Sequence, residues 1–104
     1  MNKTFYIRIS ETRLAILDLV DYYGLGLIIT RINVPEEHRA QGFGRQLLLE
    51  ACNAADRGEV VLFLEIAPSG PLDYDQLESW YMRYGFKRWK GIYRRKPVRA
   101  ATFI

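Results

Sequence analysis

Between positions 39 and 45 the chain reads Arg39-Ala40-Gln41-Gly42-Phe43-Gly44-Arg45, two glycines one residue apart, flanked by arginines and followed by a segment of helical character. A helix N-terminus leaves backbone N–H groups unpaired and carries a partial positive charge. Glycines let a phosphate reach the main chain with no Cβ in the way. Arg39 and Arg45 add charge, so the expected ligand is a pyrophosphate. The plainer reading, a glycine-containing loop that caps a helix, stays open beside it. Two other phosphate loops are excluded. A dinucleotide fingerprint needs a third glycine where Leu47 stands, and a Walker loop needs Gly-Lys-Ser/Thr where this chain has Gly44-Arg45-Gln46. The single histidine, His38, and single cysteine, Cys52, are not placed for covalent nucleophilic catalysis. His38 is expected at the surface and Cys52 at a helix edge. No Cys/His cluster has zinc spacing, so no metal is expected.

The elements that must position this loop follow from periodicity. Residues 4–9 alternate, with Phe5, Ile7 and Ile9 on one face, and read as a strand; a polar turn leads to a second strand over 14–20. After the glycine-containing break at 21–26, residues 27–34 are β-branched and apolar enough for a third strand, expected to be central and buried on both faces. A helix over about 45–57 carries Leu47, Leu48, Ala51 and Ala55 on one stripe, with Gly58 at the expected stop. Residues 60–66 read as a strand, which the prolines and glycine of 67–72 end. Asp73 or Asp75 caps a short helix over about 76–84, ended by Gly85. Segments 86–89 and 92–96 flank Lys90-Gly91 and predict a tight hairpin. The order β-β-β-α-β-α-β-β implies an α/β or α+β sandwich, a mixed sheet packed by helices.

Length and composition bound the rest. The chain of 104 residues, 49% hydrophobic and 26% charged, suits one small domain over 1–104 and excludes intrinsic disorder. A lone cysteine excludes an internal disulfide, and no apolar run reaches the ~18 residues of a membrane span. The first residues lack a signal-peptide core, so the expectation is a cytoplasmic protein. The net charge of +3 hides an asymmetry: residues 1–82 carry seven Lys/Arg against twelve Asp/Glu, whereas 83–104 carry eight Lys/Arg and no acid. That segment reads either as a solvated tail or as a docking surface for an anionic partner.

The stretch from Val34-Pro35 through Arg39-Ala40-Gln41-Gly42-Phe43-Gly44 to Leu48 resembles the signature of the GNAT family of acetyl-CoA-dependent acyltransferases, Arg/Gln-x-x-Gly-x-Gly/Ala after a strand ending in Val. Leu64-Glu65-Ile66 is similar to the family's Leu-Glu-Val strand, and Trp80-Tyr81-Met82-Arg83-Tyr84-Gly85-Phe86 to its Tyr-x-x-x-Gly-Phe helix end. The resemblance covers residues 27–97. It implies a mixed, mostly antiparallel sheet flanked by two helices, with a V-shaped splay between the strands at 27–34 and 60–66. It further implies that coenzyme A binds through its pyrophosphate to Arg39, Ala40, Gln41, Gly42, Phe43, Gly44 and Arg45. Pantetheine would lie along the main chain of Ile32, Asn33 and Val34 like an added strand, satisfying backbone groups that parted strands leave unpaired.

Departures from the pattern carry information too. About 26 residues precede Leu27, enough for two strands and not for the usual helical pair, so an open acceptor side is expected. That suits a macromolecular acceptor better than a small metabolite, or completion by a second copy of the chain. The strand glutamate that many members use as base is replaced by Thr30 and Arg31, an Asn often found before the helix is Tyr74, and the loop at 67–75 is long.

Acyl transfer to an amine needs a neutral amine, a stabilised oxyanion and a protonated leaving thiol. A lysine amine with pKa about 10.4 costs roughly 4–5 kcal/mol to hold neutral at pH 7. Tyr81 sits at the family's catalytic tyrosine; a phenol stays protonated at neutral pH and can donate to sulfur. Glu65 is the candidate base, expected to be partly buried because it shares a strand face with Val61 and Phe63. Backbone N–H groups near Asn33 or Val34 would hold the oxyanion. Trp80 and Trp89 read as packing aromatics.

The resulting expectation is an N-acetyltransferase acting by direct attack in a ternary complex, on a protein lysine or N-terminal amine rather than a small molecule. The alternative is a catalytically degenerate module docking nucleic acid or an acidic protein through its basic segment, with nucleic acid not favoured. A subunit that binds coenzyme A without turnover is a third reading. An open sheet edge and the apolar residues 101–104 suggest a homodimer, and no membrane is expected as a partner.

Overall fold

The computed structural model describes residues 2–68 and 70–99; the apolar residues 101–104 lie outside them. Strands β1 (Lys3–Arg8), β2 (Leu14–Asp21) and β3 (Leu27–Asn33) form an antiparallel meander, and helix α1 (Phe43–Gly58) then crosses over to β4 (Leu62–Leu64). Helix α2 (Tyr74–Met82) leads into the hairpin β5 (Lys87–Trp89) and β6 (Ile92–Arg95). The six strands lie in the order β1-β2-β3-β4-β6-β5. Only β3 and β4 run parallel, and α1 supplies the crossover that a parallel pair requires.

The core lies between the sheet and α1. Leu47, Leu48, Ala51, Cys52 and Ala55 of α1 pack on Ala15, Leu17, Leu19, Ile29, Leu62 and Leu64. Fully burying a side chain of Leu size stabilises by roughly 1.5–3 kcal/mol, so this stripe dominates the packing energy. Cys52 therefore sits in the core and not at a helix edge, and burial pushes its thiol up from the ordinary range.

Several sequence-based boundaries shift for local reasons. Gly58 is the last helical residue, and the left-handed position that ends α1 falls on Glu59, whose N–H returns to Ala55 O and Asp56 O. Helix α2 starts at Tyr74 because Asp73 closes a capping box: its carboxylate accepts from Gln76 N at 2.8 Å, and Gln76 Oε1 accepts from Asp73 N at 2.9 Å. Strand β4 pairs over only three residues.

Strand β3 is central but not buried on both faces; Ile29 alone is buried, and Thr30, Arg31 and Asn33 are exposed. Two features of its backbone explain this. A Cβ on Gly26 would stand 2.1 Å from Val61 O, so only glycine lets β3 start in contact with the chain leading to β4. Further on, the register with β2 steps from Leu19↔Ile29 to Asp18↔Arg31, which leaves Thr30 as an extra residue, a β-bulge. Beyond the bulge Arg31 faces Asp18 across the ladder, and its guanidinium bonds that carboxylate at 2.8 and 2.9 Å.

Over its described residues, 83–99, the basic segment is not a free tail. Arg95 is buried and holds Asp56 of α1, Arg88 holds Glu78 of α2, and Arg99 holds Glu59. Of its eight cations, three are thus paired with acids from elsewhere in the chain.

Candidate active site

The parallel pairing of β3 and β4 ends at Ile29↔Leu64, immediately before the Thr30 bulge. A bulged strand bends and twists more strongly. Past this point the two strands separate, and the edge of β3 that faced β4 has no strand partner. A groove of about 710 Å3 opens there, lined by Thr30, Ile32, Asn33 and Val34 on one side and by Glu65, Ile66 and Ala67 on the other. Leu77, Trp80 and Tyr81 of α2 close its floor, and Gly70, Pro71 and Leu72 of the long loop contribute its rim. The divergence inferred from the resemblance is present.

A smaller cavity of about 290 Å3 continues the groove toward the glycine loop and adds His38, Gly42, Phe43 and Arg45 to its lining. Ala40 (φ 66°) and Gly42 (φ 84°) are both left-handed, which turns the chain sharply into α1. The first hydrogen bond of the helix runs from Gln46 N to Gly42 O at 3.0 Å, and no side chain caps it. The amides of Phe43, Gly44 and Arg45 are therefore left over, at the positive end of a helix of sixteen residues. Arg39 donates from Nε to Val34 O at 3.2 Å and so pins the loop to the end of β3. Gln41 lines neither cavity, and its Oε1 lies 3.4 Å from His38 Nδ1.

Tyr81 stands where the strands part. It is half-buried, its ring lies 5.0 Å from that of Trp80 and 5.8 Å from that of Phe86, and burial pushes its phenol up to about 12. Its hydroxyl has no hydrogen-bond partner among the described residues. Glu65 reaches the same groove from the opposite wall, but it is exposed, because β4 has no neighbour on that side once β3 has turned away. The expectation of partial burial is corrected accordingly.

Trp80 is a residue whose role the sequence concealed. It packs against the core as expected and in addition lines both cavities; Trp89 packs 5.4 Å from Phe63. The spacing Leu77, Trp80, Tyr81, Tyr84 marks one apolar face of α2, but periodicity does not tell a face turned to core from one turned to a groove. The other side of α2 is tied to the hairpin. Glu78 accepts from Tyr93 and from Arg88, and Tyr74 Oη lies 2.7 Å from Tyr93 Oη. Arg88 and then Tyr93 hold the Glu78 carboxyl below its usual range, while burial and then Glu78 raise the Tyr93 phenol.

No family model and no curated protein matches the sequence. Solved structures do. An acetyltransferase from Bacillus cereus superposes with a TM-score of 0.70 at 16% identity, over 92% of this chain and 73% of that one. An acyl-CoA N-acyltransferase from Pseudomonas aeruginosa gives 0.60 at 27% identity, over 83% of this chain and 63% of its own. The chain has a GNAT-like fold. The anti-CRISPR protein AcrVA5 shares it, with a TM-score of 0.61 at 15% identity over 88% of this chain and 96% of that one. A GNAT-like sheet supports acyl transfer as a general chemistry. The present chain spans 63% of the length of the Pseudomonas protein.

Proposed function

We propose that the protein is an N-acetyltransferase that moves an acetyl group from acetyl-CoA to an amine, with a protein side chain or N-terminus as acceptor. One observation carries this reading: β3 and β4 part over a groove that a half-buried tyrosine lines, and this groove leads to three uncapped amides of a helix N-terminus.

The donor fits the residues present. Phe43, Gly44 and Arg45 amides with Arg45 would hold its pyrophosphate, and the unpartnered edge of Ile32, Asn33 and Val34 would take its pantetheine arm as an added strand. Bound there, acetyl-CoA supplies an activated thioester that an amine can attack directly in a ternary complex. The chain's own part is to manage protons and charge. Tyr81 keeps its proton at neutral pH and donates it to the sulfur side of the groove. Glu65, open to water on the facing wall, accepts a proton from the incoming ammonium directly or through one water. A main-chain N–H at Asn33 or Val34 offers a dipole to developing negative charge. The groove opens on a face that carries no helix among the described residues, which favours a bulky acceptor.

The reading of a docking module without turnover has fewer cations to draw on, since Arg95 is buried against Asp56, and Arg88 and Arg99 pair at the surface with Glu78 and Glu59. The test is thiol release from acetyl-CoA in the presence of a lysine peptide, with Tyr81→Phe expected to lower the rate by about a hundredfold while coenzyme A still binds. Absence of coenzyme A affinity in the unmodified protein, or equal rates in the two proteins, would sink the proposal.

A further inference from the structure

Both helices lie on one face of the sheet among the described residues. Helix α1 packs on Leu17, Leu62 and Leu64, and α2 bonds Tyr93 of the same face. The opposite face has a separate organisation. Phe63 is buried yet takes its cover from two other rings, Tyr22 at 4.7 Å and Trp89 at 5.4 Å. The register Phe63↔Arg94↔Lys87 sets two cations beside it, one and two strands away. The Arg94 guanidinium lies 4.9 Å over the Trp89 ring and Lys90 Nζ 5.0 Å over it. None of Lys87, Lys90 and Arg94 has an acidic partner among the described residues, in contrast to Arg88 and Arg95 of the same hairpin.

Two acids mark the rest of this face. Asp18 is already held by Arg31 and by Thr4 Oγ1 at 2.8 Å. Glu65 stands one residue past the end of β4 and lines the groove; the parity of the strand, carried that one residue further, sets it on the Phe63 face. Across this part of the surface Glu65 stands at the groove with Phe63 beside it on β4, Arg94 follows on β6, and Lys87 and Trp89 lie on the edge strand β5 with Lys90 at its turn.

We infer that this helix-free face docks the acceptor as an extended peptide whose amine meets Glu65 and whose acidic residues lie over Lys87, Lys90 and Arg94. The inference rests on the acyltransferase reading and names its substrate class: an amine with acidic neighbours. Spacing follows from sheet geometry. Strands stand about 4.8 Å apart and residues about 3.3 Å along them, so Lys87 and Arg94 lie roughly 8–12 Å from Glu65. An extended peptide covers that in about two to four residues. Phe63 and Trp89 offer the intervening side chains an apolar bed, and complementary charge sets register and preference rather than bulk affinity.

The experiment uses three peptides with one lysine and, at positions two to four after it, Glu, Gln or Arg. Thiol release gives kcat/KM, and anisotropy of the labelled peptides without acetyl-CoA gives affinity. The Glu peptide is expected to exceed the Gln peptide about tenfold in both, and the Arg peptide to fall below it. Lys87→Glu with Lys90→Glu, both exposed, is expected to reverse the order while leaving coenzyme A affinity unchanged. The same charge change at Arg57 and Arg83, exposed residues outside this face, is expected to preserve it. Equal values for the three peptides, an order that survives the Lys87/Lys90 variant, or tighter binding of single-stranded oligo-dT than of the Glu peptide would overturn the inference. Flank-dependent affinity with no thiol release from any peptide would keep the docking face and remove the acyltransferase reading. Thiol release indifferent to flanks would do the reverse.

Discussion

Arg95, at the end of the last strand, grips Asp56 of α1 with two hydrogen bonds of 2.7 and 3.0 Å, and its Nε donates to Tyr84 O at 2.6 Å. One guanidinium thus joins the sheet, the first helix and the end of the second, and Asp56 also accepts from Val98 N. Arg95 is 6% exposed and Asp56 half-buried, so the arginine end of the pair is the shielded one.

Removing Asp56 would leave the buried Arg95 charge without compensation, whereas removing Arg95 leaves a carboxylate that water reaches. Arg95→Ala is expected to cost about 1.5–3 kcal/mol, measured by urea denaturation. Arg95 and then the Val98 amide hold the Asp56 carboxyl below its usual range. A depressed carboxylate contributes stability that is present above its unfolded value near 3.9 and is lost as pH falls through the folded one. Asp56→Asn should therefore lower stability at pH 7 and flatten its fall below pH about 4. An unaltered acid limb would show that other carboxylates set it.

Gly44→Ala separates binding from stability. An added Cβ would meet Val34 Cγ2 at 3.8 Å and Trp80 Cη2 at 3.9 Å, ordinary contacts, so the fold accepts it. Alanine in a helix is favoured over glycine by up to about 1 kcal/mol. Tm is expected to hold or rise slightly while calorimetry shows weaker coenzyme A binding, because the methyl group stands beside the free amides. Gly26→Ala should do the opposite kind of damage, at least about 2 kcal/mol of stability, since the backbone of Val61 cannot retreat.

Burial raises the Tyr81 phenol from 10 to about 12. A group with a raised folded value contributes stability fully below its unfolded value and loses it as pH rises through the folded one, so Tyr81 begins to weigh against the fold only above pH about 10. The rate profile should show no basic limb from this residue below about pH 11. A limb near pH 9 that vanishes in Tyr81→Phe would contradict its buried setting.

Glu65→Gln keeps shape and removes the proton acceptor. A fall in kcat/KM of about a hundredfold near pH 7, shrinking as pH rises and the amine deprotonates by itself, is the expected pattern. A uniform loss at all pH values would instead point to a docking role for the carboxylate.

The element order, the capped start of α2 near Asp73 and the hairpin at Lys90-Gly91 were legible because each rests on local chemistry: period, cap and turn. The glycine loop and the divergence of β3 from β4 were legible through motif resemblance. What escaped was set by distant partners. The alternation of Ile29, Thr30, Arg31 and Ile32 misleads because an unpaired residue at position 30 resets which side each successor faces. The basic segment looked free because Asp56, 39 residues away, gives no local sign that it meets Arg95. Trp80 packs against the core as read, but its second place, at the border of the groove, has no sign in the spacing of its apolar neighbours on α2.

The Thr30 bulge also determines how this groove can be altered. Its position depends on a residue count in one strand and not on a particular side chain. Exchanging Thr30 for another residue type therefore leaves the opening in place. Deleting it would bring β3 back into step with β2, leave Arg31 opposite Asp18 and take away the bend that parts β3 from β4.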